Sequence, residues 1–165
     1  MIAAMADSPA SKPLTLVFED EAATLRFGAK LAAALQKGDV VALSGGLGSG
    51  KTALARAVIR SFLPNEEVPS PTFTLVQSYD TQHFAILHVD LYRLTSARDI
   101  RELGLDDALD AGVLLIEWPE RAAAWLPADR LDIRLSFGKT ATARKAELIA
   151  RGSWRHRLAA LEGGA

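Results

Sequence analysis

Cysteine is absent from all 165 residues, which excludes disulfides, thiolate metal sites, iron-sulfur ligation and thiol nucleophiles. A chain of this kind needs no oxidising compartment, so the expected location is the cytoplasm. Long apolar runs are absent too. Nothing approaches the roughly 18 to 20 residues that cross a bilayer, and Met1 to Pro13 lacks the basic start and apolar centre of a secretory signal. That segment reads as a flexible polar lead-in, with no membrane contact expected. A dominant charge is the third absence. Nineteen Lys+Arg stand against twenty Asp+Glu, a net charge of -1, and so balanced a chain lacks the basic field of dedicated nucleic-acid binders. No DNA partner is expected, and any RNA contact would be local.

What remains is an ordinary core-forming composition, 49% hydrophobic and 24% charged. The length suits one domain, read as residues 14 to 162. Leu14 to Phe18 predicts a strand, and Asp20-Glu21 opens a helix in which Leu25, Gly28, Leu31 and Leu35 recur at helical spacing up to a stop at Lys37-Gly38. Val40 to Leu43 is wholly apolar, the pattern of a strand covered on both faces. A helix at about Thr52 to Phe62 follows a glycine-rich loop. Val68-Pro69-Ser70-Pro71 cannot be helical. Thr74 to Tyr79 and Phe84 to Val89 predict a hairpin, Ser96 to Leu109 a charged helix, Gly112 to Ile116 a second buried strand, and Leu131 to Phe137 and Ala146 to Ala150 late strands before a short final helix. The class is α/β, a three-layer P-loop NTPase-like fold on a mixed, largely parallel central sheet.

Gly45-Gly46-Leu47-Gly48-Ser49-Gly50-Lys51-Thr52 satisfies GxxxxGK[ST] and lies between a buried strand and a helix, where its mechanism requires it. Glycines let successive amides turn toward phosphate oxygens at a helix N-terminus. Lys51 reaches the outer phosphates, and the Thr52 hydroxyl suits magnesium, a hard ion that prefers oxygen. Gly138-Lys139-Thr140 repeats the end of the motif, but Ile133 stands where its first glycine should be and the surroundings alternate like strands. That copy is discarded. A P-loop site also needs an acid beyond a buried strand. Asp90 follows Ile86 to Val89 and Glu117 follows Val113 to Ile116. The second strand is the more continuously apolar, hence the expected neighbour of the P-loop strand. His88 reads as a packed or hydrogen-bonded imidazole, His83 and His156 as surface residues. Trp154, Leu158 and Leu161 form a packing stripe. Residues 90 to 120 carry eight acids and three bases, residues 139 to 157 six bases and one acid. The second stretch could offer a patch to an acidic partner or tRNA.

Gly46 to Thr52 together with Ser70-Pro71-Thr72-Phe73-Thr74-Leu75-Val76, His88-Val89-Asp90-Leu91-Tyr92-Arg93-Leu94 and Glu117-Trp118-Pro119-Glu120, in this order and spacing, closely resemble the TsaE (YjeE) family of bacterial ATPases. The resemblance covers roughly residues 15 to 150. It implies an ATPase that assists the TsaB and TsaD proteins in making threonylcarbamoyladenosine beside the tRNA anticodon, with TsaD carrying the transfer chemistry and tRNA met through the complex. It implies ATP and magnesium as cofactors. Thr52 and Glu117 would ligate the metal, Lys51 would bind phosphate with Leu47, Gly48, Ser49 and Gly50, and Asp90 would act as base or orient water. Trp118, Glu21 and Glu120 would lie near the nucleotide. Thr72 and Thr74 would belong to a switch loop. Gly46 departs from the family, where an acid often precedes the Leu-Gly. The competing functions are a small-molecule kinase, for which no basic lid is evident, and a nucleotide-sensing module with negligible turnover.

Overall fold

Strands and helices alternate because apolar runs of period two and period 3.6 alternate along the chain. The computed structural model describes residues 10 to 163, so most of the expected lead-in, residues 1 to 9, lies outside the described residues. In order, the elements are β1 (Leu14–Phe18), α1 (Glu21–Ala34), β2 (Val40–Ser44), α2 (Lys51–Phe62), β3 (Val76–Asp80), β4 (Ala85–Asp90), α3 (Ala97–Glu102), α4 (Leu105–Ala111), β5 (Gly112–Glu117), β6 (Arg130–Phe137) and β7 (Arg144–Arg151). Short 3-10 turns cover Pro119–Ala122, Gly152–His156 and Leu158–Leu161.

The seven strands form one sheet in the order β1-β7-β6-β2-β5-β4-β3. Its four central strands, β6, β2, β5 and β4, run parallel, and the outer pairings β1 to β7, β7 to β6 and β4 to β3 are antiparallel. The apolar runs Val40 to Leu43 of β2 and Gly112 to Ile116 of β5 lie side by side and are covered on both faces. Val41, Leu43, Val113 and Leu115 pack with α1 and α2, while Val40, Leu114 and Ile116 pack with α3, α4 and the turn after β5. Three layers result, and the C-terminal ends of β2, β4 and β5 converge on one edge.

Several local expectations need correction. In α1 the core face is Ala23, Phe27, Gly28 and Leu31, whereas Leu25 is 49% exposed. Asp20 caps that helix by accepting from the Ala23 amide at 2.9 Å. The helix ends at the extended, buried Leu35 rather than at Lys37-Gly38. A side chain on Gly28 would collide with Ala57, so this glycine lets α1 and α2 approach. The expected helix from Ser96 to Leu109 is two helices, because Gly104 is left-handed (φ 68°). β3 begins at Val76, not Thr74, since Leu75 closes a turn onto the Pro71 carbonyl with φ 66°. The final helix is two 3-10 turns held by Arg157, which pairs with both carboxylate oxygens of Asp39 at 2.7 Å and lies 3.8 Å over the Trp154 ring. Ser11 pairs with Ala150 of β7 through its amide and hydroxyl. Among the described residues no helix is long and apolar enough to cross a membrane.

Candidate active site

The chain leaves β2 at Ser44 and enters α2 at Lys51 through a loop of which only glycine can make the sharpest part. Gly45 has φ 143°, and a side chain there would meet the Leu135 carbonyl and the Ser49 hydroxyl. Gly50, the residue before α2, is left-handed and supplies no side-chain cap. The first amides of a twelve-residue helix therefore face outward without a side-chain acceptor. Ser49 Oγ is buried and has no hydrogen-bond partner among the described residues.

Lys51 is buried at the floor of this loop. Its Nζ donates to the carbonyls of Gly45 at 2.6 Å and Gly46 at 2.8 Å, and lies 4.3 Å from the centre of the Trp118 ring. Burial lowers its pKa below the ordinary lysine value, against the opposing pull of Glu117, Glu120 and Asp90. Trp118 is itself left-handed (φ 58°) and packs against Tyr92 at 4.8 Å between ring centres.

Thr52 Oγ1 donates to Glu117 at 2.9 Å (Oε1) and 3.1 Å (Oε2). The parallel register sets Glu117 opposite Leu43 on one side and Asp90 on the other, which brings both acids to the mouth of the loop. His88 Nε2 lies 2.6 Å from Glu117 Oε2. Asp90 accepts from the Tyr92 amide at 2.9 Å and from Thr72 Oγ1 at 3.1 Å, and Thr72 in turn touches Ser70 at 2.7 Å. The Asp90 amide donates to the Leu75 carbonyl at 2.9 Å. One end of the 70 to 75 loop is thus tied to the carboxylate and the other to the backbone of the same residue.

These groups line a cleft of about 450 Å³. It gathers Leu47, Gly48, Gly50, Lys51, Thr52, Asp90, Glu117 and Trp118, all anticipated from sequence. Ser49 lies buried beneath the loop. Glu21 sits in an adjoining depression of about 250 Å³ that shares Gly50 and Arg144 with the cleft. Glu120 is exposed and does not line the cleft, though its charge acts on Lys51. Of the two threonines expected in a switch loop, Thr72 meets Asp90, whereas Thr74 accepts from the Gln77 side chain at 3.0 Å. No group of three or more His, Cys, Asp or Glu side chains suited to a metal occurs among the described residues.

Sequence reasoning missed two participants, Tyr92 and Arg144, whereas His88 is buried and hydrogen-bonded as expected, with Glu117 as the partner that the sequence did not name. Tyr92 carries its signal in being two residues beyond Asp90. Arg144 had no local signal; the sheet order brings β7 to the cleft, where its guanidinium donates to the carbonyls of Ala141 and Ala143 at 2.9 Å and lies 5.0 Å from the Phe137 ring. The basic stretch 139 to 157 does not form one patch, because Arg151 pairs with Asp132 at 2.7 Å and Arg157 with Asp39.

A phosphate-type loop joining a central parallel strand to a helix, with an acid on the adjacent strand reaching the helix threonine, defines a P-loop NTPase-like protein. Residues 18 to 146 match the family model described as threonylcarbamoyl adenosine biosynthesis protein TsaE. The chain is 42% identical over 122 residues to the tRNA threonylcarbamoyladenosine biosynthesis protein TsaE of Rickettsia bellii, covering 73% of this chain and 85% of that one. The protein of the same name from Haemophilus influenzae is 38% identical over 143 residues, 83% of this chain and 89% of that one. The crystal structure of Bacillus subtilis YdiB matches with a TM-score of 0.75 at 28% identity, over 90% of this chain and 92% of YdiB. The chain belongs to the TsaE family.

Proposed function

We propose that this chain is a magnesium-dependent ATPase that assists the TsaB and TsaD proteins in forming threonylcarbamoyladenosine in tRNA, with hydrolysis resetting the complex in the cytoplasm. Family membership supports the pathway. The observation that carries the chemistry is the Thr52 to Glu117 hydrogen bond at 2.9 Å, under a glycine loop whose helix amides lack a side-chain cap. A hydroxyl and a carboxylate, side by side at a helix N-terminus, fit magnesium, which takes one or two protein oxygens and completes its shell with phosphate and water. The uncapped helix amides and the Lys51 ammonium, whose hydrogen bonds among the described residues go to its own loop's carbonyls, fit a polyphosphate. Bound there, the ion would neutralise charge on the phosphate oxygens.

The remaining steps belong to the chain's own residues. The loop amides and Lys51 bind the phosphates, and Trp118, already over Lys51, walls the cleft. Asp90 orients or deprotonates the attacking water. Because Thr72 is bonded to Asp90, whatever changes the surroundings of that carboxylate also changes the 70 to 75 loop, and a loop so placed can report the nucleotide to a partner. The cleft has one arginine at its lip, Arg144, already engaged by backbone carbonyls, so unassisted hydrolysis is slow and a partner completes the site. Phosphate release measured with and without TsaB and TsaD tests this reading. Acceleration by the partners, lost on Lys51→Ala, is the expected result; no release under either condition would leave a nucleotide sensor.

A further inference from the structure

Glu117 is buried at the end of β5, where a carboxylate must find donors to remain. It has two, the Thr52 hydroxyl and the His88 imidazole, and the second makes the shortest contact at 2.6 Å. Thr52 is the group that must also serve the ligand side of the cleft, so His88 is the partner that belongs to Glu117 alone.

Among the described residues the imidazole has no other hydrogen-bond partner. It is fully buried, and its Nδ1 has no hydrogen-bond partner among the described residues. An unpaired buried ring nitrogen is unfavourable, and an apolar side chain would fill the same space without that cost. The one bond to Glu117 Oε2 is what distinguishes histidine from such a filler. The register explains how it is reached. β4 and β5 pair with His88 opposite Leu115 and Asp90 opposite Glu117, so His88 and Asp90 share a strand face and both flank Glu117. His88 takes Oε2 from the strand side, and Oε1 is the oxygen nearer Thr52, at 2.9 Å against 3.1 Å for Oε2.

We infer that His88 is a positioning residue that fixes the rotation of the Glu117 carboxylate, so that the oxygen facing Thr52 is presented to a magnesium-bound nucleotide. The bond needs only a hydrogen on Nε2 and holds for a neutral or a charged ring. Without it the carboxylate would rest on Thr52 alone, beside the like charge of Asp90. Outer partners of metal ligands typically contribute about 10- to 100-fold to metal affinity. The inference rests on the magnesium-nucleotide reading given above.

Calorimetric titration with ADP, once in magnesium and once in EDTA, separates the two. The magnesium increment, the ratio of the two affinities, is the quantity read. His88→Leu fills the core and removes the donor; it should lose about tenfold or more of the increment while binding ADP in EDTA as the unaltered protein does. His88→Gln, whose amide can donate at similar reach, should restore most of it. An undiminished increment in His88→Leu, an equal loss with and without magnesium, or a folded His88→Gln that restores nothing would each overturn the inference. If His88→Leu does not fold, the comparison passes to His88→Gln and the shorter His88→Asn: retention in the first and loss in the second supports the positioning role, and equal increments overturn it. If the unaltered protein binds ADP but shows no magnesium increment, the magnesium reading itself falls and takes this inference with it; an increment that is present in the unaltered protein and survives in His88→Leu removes the inference alone.

Discussion

The chain contains Gly-Lys-Thr twice, and the two copies have opposite fates. At 50 to 52 the glycine is left-handed, the lysine is buried against loop carbonyls and opens a twelve-residue helix, and the threonine reaches an acid on another strand. At 138 to 140 the same three residues turn the chain from β6 into the antiparallel β7. There Lys139 is exposed, and Thr140 accepts from Ala143 three residues on, through its hydroxyl at 3.2 Å and its carbonyl at 3.3 Å. The tripeptide therefore carries no anion site of its own. What makes one is a helix N-terminus at the end of a central strand, five preceding loop residues that close over the lysine, and an acid supplied by the neighbouring strand.

The sharpest way to break this contrast is to truncate both lysines. Lys51→Ala should weaken ADP binding about 100-fold and nearly abolish hydrolysis, since it removes the cation of the loop; Lys139→Ala should change neither. Equal effects in a nucleotide titration would end the assignment. Next in size are the acids. If, as proposed, one acid acts on water and the other on the metal, Asp90→Ala should bind ADP nearly as the unaltered protein does and fail to turn ATP over, whereas Glu117→Ala should lose the magnesium dependence of binding. A metal titration giving the reverse pattern would exchange their roles.

The features legible in sequence were those with local signatures. Two wholly apolar runs identified β2 and β5 as buried strands and hence as neighbours. The loop spacing located the turn from β2 into α2, and an acid after each of two strands located Asp90 and Glu117 at its mouth. Features that depend on register or on long-range order were not legible. Leu25 and Phe27 both sit in an apolar helix, and periodicity alone did not choose the face that α2 covers. Gly104 divides a charged helical pattern because its backbone turns left-handed, which a single glycine does not announce. Arg144 reaches the cleft only because β7 lies beside β6, and the bond from His88 to Glu117 exists only because β4 and β5 pair in one register.

A pH series sharpens the contrast further. Burial disfavours the Lys51 ammonium, so in the unliganded fold this group loses its proton below the ordinary lysine range. Phosphate requires the charged form. ADP affinity should therefore fall as the pH rises through that lowered value, and binding there should take up a proton. The stability of the unliganded fold moves the other way: the cost of the buried ammonium, present at neutral pH, is relieved progressively as the pH rises from the lowered pKa to the ordinary lysine value. The ADP-induced rise in Tm should shrink on alkaline titration in the unaltered protein and in Lys139→Ala alike, and be small and flat in Lys51→Ala. A Lys139→Ala profile that differed would implicate the second copy in binding.

The smallest effect is expected at Thr140, and its smallness is the point. Thr140→Val removes the hydroxyl that accepts from the Ala143 amide, but the Thr140 carbonyl still accepts from that amide and the turn is open to water. The carbonyl leaves the amide with an acceptor, so the loss should be about 0.5 kcal/mol, at the low end for one hydrogen bond. In Thr52→Val, by contrast, Glu117 would keep only His88, and the magnesium increment in ADP binding should largely vanish. Urea midpoints and ADP titrations on the two valine variants measure both quantities. Unchanged ADP binding with a slightly lower midpoint in Thr140→Val is the expected outcome. Because Arg144, which lines the cleft, begins the strand this turn leads into, weakened ADP binding in Thr140→Val would mean that the β6 to β7 turn shapes the lip of the site, and the two copies of Gly-Lys-Thr would then have to be treated as parts of one nucleotide-binding surface.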